Sequence, residues 1–72
     1  MTPALLTQIG TALFGTEFHP QLAAALGVDA RAVRRWCAGT AAVPPGVAAE
    51  LRDLIRGRLA ELRRTFVALS LT

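Results

Sequence analysis

Residues 26–39 read LGVDARAVRRWCAG, a stretch that places three arginines among small apolar residues and beside the one tryptophan of the chain. Asp29 is a good N-cap for a helix that begins at Ala30, because its carboxylate can accept a hydrogen bond from a free backbone N–H of the first turn. Gly39 can end that helix, because glycine readily adopts the left-handed backbone that closes a last turn. The stretch therefore predicts a short helix over residues 30–38.

This third helix of the chain has two chemically different sides when residues are placed at about 100° intervals. One side is apolar and carries Ala32, Val33, Trp36 and Cys37. The other side is basic and carries Arg31, Arg34, Arg35 and Ala38. We expect Trp36 to fasten the apolar side to the core and the guanidinium groups to face outward with no carboxylate beside them, since Asp29 is needed as the cap. A helix that only needed solubility would usually mix charges of both signs.

A first helix is predicted over residues 3–14. Thr2 is a suitable N-cap, proline suits the first helical position, and Gly15 can end the helix. Gly10 in the middle of this helix costs about 1 kcal/mol relative to alanine. Its presence therefore indicates a close contact with another helix.

The second helix is predicted to begin between residues 17 and 20, with Thr16 or His19 as its cap, and to stop at Gly27. The loop TAAVPP follows the third helix and ends in two prolines, which stop one helix and can open the next. A fourth helix is then predicted over about 46–69, where apolar residues recur every three or four positions. The sequence thus predicts an all-α fold, a compact bundle of about four helices whose last helix is long.

Length and composition limit the class of protein. The 72 residues suit one domain, 1–72, and 53% of them are apolar, which is rich for so small a core. All eight basic residues are arginine and the net charge is +3, which weakly favours an anionic partner. The single cysteine excludes an internal disulfide, and no stretch resembles a signal peptide or a membrane span. We therefore expect a cytoplasmic protein that does not enter a membrane.

Catalytic and metal-binding groups are scarce. The chain has one histidine, one cysteine on the apolar side of the third helix, and five scattered acids. These residues offer no nucleophile–base pair, no carboxylate dyad and no set of metal ligands. The sequence accordingly predicts a protein that is not an enzyme and that uses no metal or cofactor.

The stretch LAAALGVDARAVRRW, residues 22–36, resembles the helix-turn-helix of the phage-repressor (Cro/CI-like, XRE) superfamily, which includes short bacterial and phage regulators. In that family a second helix reading L-A-x-x-L-G-V is followed by a capping residue, a buried valine or isoleucine four residues later, and an aromatic three residues after that. The matching residues are Leu22, Ala23, Leu26, Gly27, Val28, Asp29, Val33 and Trp36. The resemblance implies a helix-turn-helix core over about 17–39, in which the small alanine lies at the helix crossing and the glycine permits the turn.

The resemblance also implies where DNA is contacted. The implied contact residues are Ala30, Arg31, Arg34, Arg35, Gln21 and Ala38. Arg31 and Arg35 would donate to guanine O6 and N7, Arg34 would hold a phosphate, and Ala30 would touch a thymine methyl. Since Pro20 lacks the N–H that usually meets a phosphate at the start of the second helix, Gln21 would make that contact instead.

Taken together, these features predict a sequence-specific regulator of transcription that binds double-stranded DNA, most simply a homodimeric repressor acting by operator occupancy. The surplus apolar residues of the fourth helix would form the dimer contact: Leu62, Phe66, Val67 and Leu69. Two alternatives remain open at this point. The protein could activate transcription, or its arginine face could dock an acidic protein such as a subunit of RNA polymerase.

Overall fold

The computed structural model describes all 72 residues and contains four α-helices and no strand. The helices are α1 (Pro3–Phe14), α2 (His19–Leu26), α3 (Ala30–Ala38) and α4 (Val47–Ser70). The predicted all-α architecture with a long last helix is therefore confirmed. The predicted bounds of α1 and α3 are the observed ones, and α4 lies one residue further along the chain than predicted.

Capping residues set the ends of α1 as the sequence indicates. The Thr2 hydroxyl accepts a hydrogen bond from the backbone N–H of Leu5 at 3.1 Å, which satisfies one of the free donors of the first turn. At the other end, Gly15 has φ of +85° and its N–H donates to the carbonyl of Thr11. Both ends are thus decided by residues within four positions of the helix boundary.

Helix α2 begins at His19, within the predicted range of 17–20, but the predicted cap is wrong, because neither Thr16 nor His19 caps the helix. Phe18 precedes the helix, already has helical backbone angles, and makes no side-chain hydrogen bond to the first turn. Its ring is 2% exposed and stacks on the imidazole of His19 at a centroid distance of 4.2 Å. Burial of an aromatic ring, rather than a capping hydrogen bond, therefore fixes where α2 begins.

Gly10 explains how the Phe18 ring is accommodated. A Cβ atom built on Gly10 would overlap the ring of Phe18, so only glycine leaves room for it. The close approach indicated by Gly10 is thus present, and it is made by a side chain rather than by a helix backbone.

One cluster of buried side chains joins the four helices. Its members are Leu6, Phe18, Leu22, Ala23, Val33, Trp36, Val47 and Leu51. The turn between α2 and α3 is short, and Gly27 makes it possible with φ of +70°, a conformation that other residues seldom adopt. Leu26 and Cys37 are half-buried at the edge of this cluster. The core therefore holds α3 firmly by its apolar side.

The two halves of α4 have different surroundings. Val47 and Leu51 are buried and Leu54 and Ile55 are half-buried, whereas every residue from 56 onward is exposed. A helix of 24 residues is about 36 Å long, and the molecule measures 48 × 22 × 20 Å. The distal half of α4 consequently projects beyond the bundle. None of the four helices combines the length and apolar character needed to cross a membrane.

Candidate nucleic-acid interface

The basic side of α3 faces solvent. Val33 is fully buried and Trp36 is 6% exposed, so they attach α3 to the core. On the opposite side Arg31, Arg34 and Arg35 are exposed. The two-sided helix predicted from the sequence is therefore present, with its cations outward and its tryptophan inward.

Asp29 caps α3 and also pairs with an arginine of the exposed face. One carboxylate oxygen, Oδ1, accepts from the backbone N–H of Arg31 at 2.8 Å. The Arg31 guanidinium donates from Nε to Oδ1 at 3.3 Å and from Nη2 to Oδ2 at 3.1 Å. The expectation that no carboxylate lies beside the arginines is thus wrong for Arg31. The reason is local, since helical side chains lean toward the helix N-terminus, where Asp29 lies.

This fork-shaped contact orients the Arg31 side chain without using all of its donors. A guanidinium has five N–H groups, and two of them point at Asp29. Three N–H groups remain for another acceptor. Both side chains are largely exposed, at 78% for Arg31 and 55% for Asp29, so water or a ligand can reach the pair.

The pair shifts the titration of both groups. The side-chain hydrogen bonds from Arg31, followed by its backbone N–H, lower the pKa of Asp29 to about 2. The contact with Asp29 raises the pKa of Arg31. Because the folded pKa of Asp29 lies below the ordinary value of 3.8, its carboxylate contributes stability above about pH 4, and that contribution is lost as the pH falls toward 2.

We expect an Asp29→Asn variant to be less stable than the wild type at pH 6 and nearly equal to it at pH 2. Asparagine retains the capping ability of aspartate but not the charge, so the difference isolates the ionised carboxylate. Thermal melts followed by circular dichroism between pH 2 and pH 6 measure it. Asp53→Asn is the control, because the Asp53 carboxylate accepts a single side-chain hydrogen bond from Arg56 at 3.4 Å and caps no helix. If the stability of wild type and Asp29→Asn changed with pH in parallel, the ionised Asp29 carboxylate would not be the source of the pH-dependent stability.

Arg34 and Arg35 have no ion-pair partner, since the two salt bridges of the molecule are Arg31–Asp29 and Arg56–Asp53. Arg35 lies in the last turn of α3, where a cation is favourable near free carbonyl groups. These two guanidinium groups therefore retain all their donors for an external acceptor.

The remaining predicted contact residues have mixed surroundings. Ala38 is exposed at the end of α3, whereas Ala30 is half-buried at its start and packs against the core. Gln21 is exposed in the first turn of α2. The structure thus brings the three arginines and Ala38 onto the outer side of α3. The pairing of Asp29 with Arg31 was not predicted, although the position of Asp29 two residues before Arg31 could have indicated it.

In comparisons with known protein families, with curated proteins and with solved structures, the chain matches none of them. The resemblance to the phage-repressor superfamily therefore stays a prediction, which rests on residues 22–36.

Proposed function

We propose that the protein is a sequence-specific regulator of transcription that binds double-stranded DNA by placing α3 in the major groove. The observation that carries the proposal is the outward cationic face of α3, on which Arg34 and Arg35 have no carboxylate partner. An α-helix fits the major groove, and an arginine fork matches the O6 and N7 acceptors of guanine.

The rigid attachment of α3 supports this use. Base recognition needs side chains held in a fixed position relative to the DNA backbone, and Val33 and Trp36 bury the opposite side of the helix. Within this proposal Arg31 and Arg35 contact guanine and Arg34 holds a phosphate. Asp29 keeps the Arg31 fork oriented, so Arg31 is ordered before DNA arrives.

The regulatory effect in this proposal is repression by occupancy, with two copies of the chain on one operator. Two recognition helices related by a two-fold axis would enter successive major grooves, about 34 Å apart. Half-sites one turn of DNA apart on a partly palindromic operator are the corresponding prediction. No metal or cofactor has a role in this mechanism.

Selection of bound sequences from a random duplex pool tests the proposal, followed by affinity measurements at several salt concentrations. We expect a defined site and an affinity that falls steeply with salt, because phosphate contacts release counterions. Arg35→Ala should cost about 1–3 kcal/mol, roughly 5-fold to 150-fold, and relax the preference at one base pair. Arg34→Ala should weaken binding to all sequences and reduce the salt slope by about 1.

Arg64→Ala is the matched control, since Arg64 is an exposed arginine without an ion-pair partner on the projecting half of α4. It removes the same charge as the α3 variants but lies far along the chain from α3. No enriched sequence, or equal affinities for the Arg34, Arg35 and Arg64 variants, would overturn the proposal. Binding of an acidic protein with no DNA preference would instead favour the protein-docking alternative.

A further inference from the structure

The Asp29–Arg31 pair at the start of α3 is built differently from the other ion pair of the molecule. The Asp29 carboxylate is fixed by the backbone, since its Oδ1 accepts from the Arg31 N–H at 2.8 Å. The guanidinium lies side-on against this fixed acceptor, with Nε 3.3 Å from Oδ1 and Nη2 3.1 Å from Oδ2. The other pair, Arg56–Asp53, is a single hydrogen bond of 3.4 Å between two side chains. Arg31 is therefore the arginine that a helix cap orients.

The side-on contact leaves one edge of the Arg31 guanidinium free. Nε and one N–H of Nη2 face Asp29, so the remaining donors are the N–H groups of Nη1 and the second N–H of Nη2. The N–H groups of Nη1 and Nη2 that point away from the side-chain stem form an end-on fork. Such a fork matches the paired O6 and N7 acceptors of guanine. Because the Arg31 side chain is 78% exposed, this edge is open to a ligand.

Charge determines which acceptor suits the free edge. Asp29 offsets the charge of Arg31, so the pair has no net charge, whereas Arg34 has no carboxylate partner. A phosphate that approached Arg31 would come near the exposed Asp29 carboxylate, and the two negative charges would repel each other. Guanine O6 and N7 belong to an uncharged base and meet much less repulsion. The pair therefore favours a base edge over the DNA backbone.

We propose that Asp29 is a specificity-determining residue of the DNA interface, which directs Arg31 to guanine rather than to phosphates. The inference rests on the proposed function, in which the first residues of α3 contact base edges. Asp29 lowers the affinity for DNA of any sequence, because it offsets one cation of α3. It raises the preference for guanine, because a fork already held in one orientation loses less side-chain freedom on binding. Arg34, which has no such partner, supplies the contact with phosphate.

Asp29→Ser separates these two effects. Serine still caps a helix but lacks the carboxylate that holds the guanidinium, so Arg31 regains its charge and its freedom. Affinities are measured for the selected site, for the same site with the guanine replaced, and for unrelated duplex, each at several salt concentrations. Binding to unrelated duplex should tighten roughly 3-fold to 10-fold, with a salt slope steeper by about 1, because one more phosphate is neutralised. Discrimination at the guanine should fall at least about fivefold.

The double variant Asp29→Ser/Arg31→Ala removes the whole neutral pair. It should bind unrelated duplex within about twofold of the wild type, with the same salt slope, because no net charge is lost. The position at which it loses sequence preference is the one that Arg31 reads. Asp29→Asn, which also caps well but carries no charge, should change both affinities in the same directions as Asp29→Ser.

Asp53→Ser is the matched control, since it removes the acid of an Arg–Asp pair on α4 instead of α3. It adds the same net charge as Asp29→Ser and should leave the preference for guanine unchanged. Circular dichroism verifies that each variant remains folded.

A purely structural role of Asp29 would weaken binding to all duplexes together, and that result would overturn the inference. An Asp29→Ser variant that keeps the wild-type preference for guanine would overturn it too. In both cases a wild-type chain that selects a defined sequence leaves the proposed function standing. A wild type that binds every duplex alike would overturn the proposed function and the inference together.

Discussion

Trp36→Ala is expected to lower the free energy of unfolding by about 3–5 kcal/mol, a large part of the stability that a domain of this size has. Trp36 is 6% exposed and lies in the cluster that joins α3 to the other helices. Its loss leaves a cavity that so small a core cannot close. Urea unfolding followed by circular dichroism measures the change.

Trp36→Phe is the matched control for this substitution. It keeps an aromatic ring in the core and should lose much less stability, because the remaining void is smaller. If the arginine face of α3 binds DNA, Trp36→Phe should bind with near-normal affinity. An unchanged unfolding midpoint for Trp36→Ala would show that Trp36 does not attach α3 to the core.

Gly10→Ala is expected to destabilise the protein by about 1–3 kcal/mol, because the added Cβ overlaps the buried ring of Phe18. The identical change at Gly57 should stabilise the protein by about 0.5–1 kcal/mol, because glycine inside a helix is less favourable than alanine. Gly57 lies within α4, is exposed, and has open space where a Cβ would be. Each kcal/mol of change in the free energy of unfolding should move the melting temperature by about 4–8 °C. Gly10→Ala should therefore melt at a lower temperature than the wild type, and Gly57→Ala at a higher one.

A second substitution tests the cause of the Gly10 effect. Gly10→Ala combined with Phe18→Leu should lose less stability than the two single changes added together, because the smaller side chain leaves room for the new methyl group. Shifts in the same direction for Gly10→Ala and Gly57→Ala would contradict the assigned contact. Additive losses in the double variant would contradict it as well.

The ends of α1 and α3 followed from the sequence, because each is decided by hydrogen bonds over a few residues. Thr2 and Asp29 cap the two helices with their side chains. Gly15 and Gly39 end them with positive φ angles. Apolar periodicity likewise indicated which side of α3 is buried, since the core contacts recur with the helical repeat.

Two features of the candidate site and its surroundings could not be predicted from the sequence. The start of α2 was predicted within residues 17–20, but its cause was not: it is the burial of Phe18 against Gly10, which lies eight residues earlier on α1. The pairing of Arg31 with Asp29 depends on which rotamer the arginine adopts on the folded surface. Composition and spacing identified the arginines, but they did not show that Arg31 already has a carboxylate partner.

By itself, then, the sequence determined the four helices, most of their ends, and the separation of apolar and basic residues on α3. Only the tertiary structure decided which apolar residues of α4 are covered. The physical reason is that α4 is much longer than the helices that pack against it. The 24-residue α4 is about 36 Å long, whereas α1, α2 and α3 have 12, 8 and 9 residues, so the shorter helices bury Val47 and Leu51 near the start of α4 and its distal half extends past them. Apolar residues recur along both halves of α4, and only the packing of the other helices against its first half distinguishes the two.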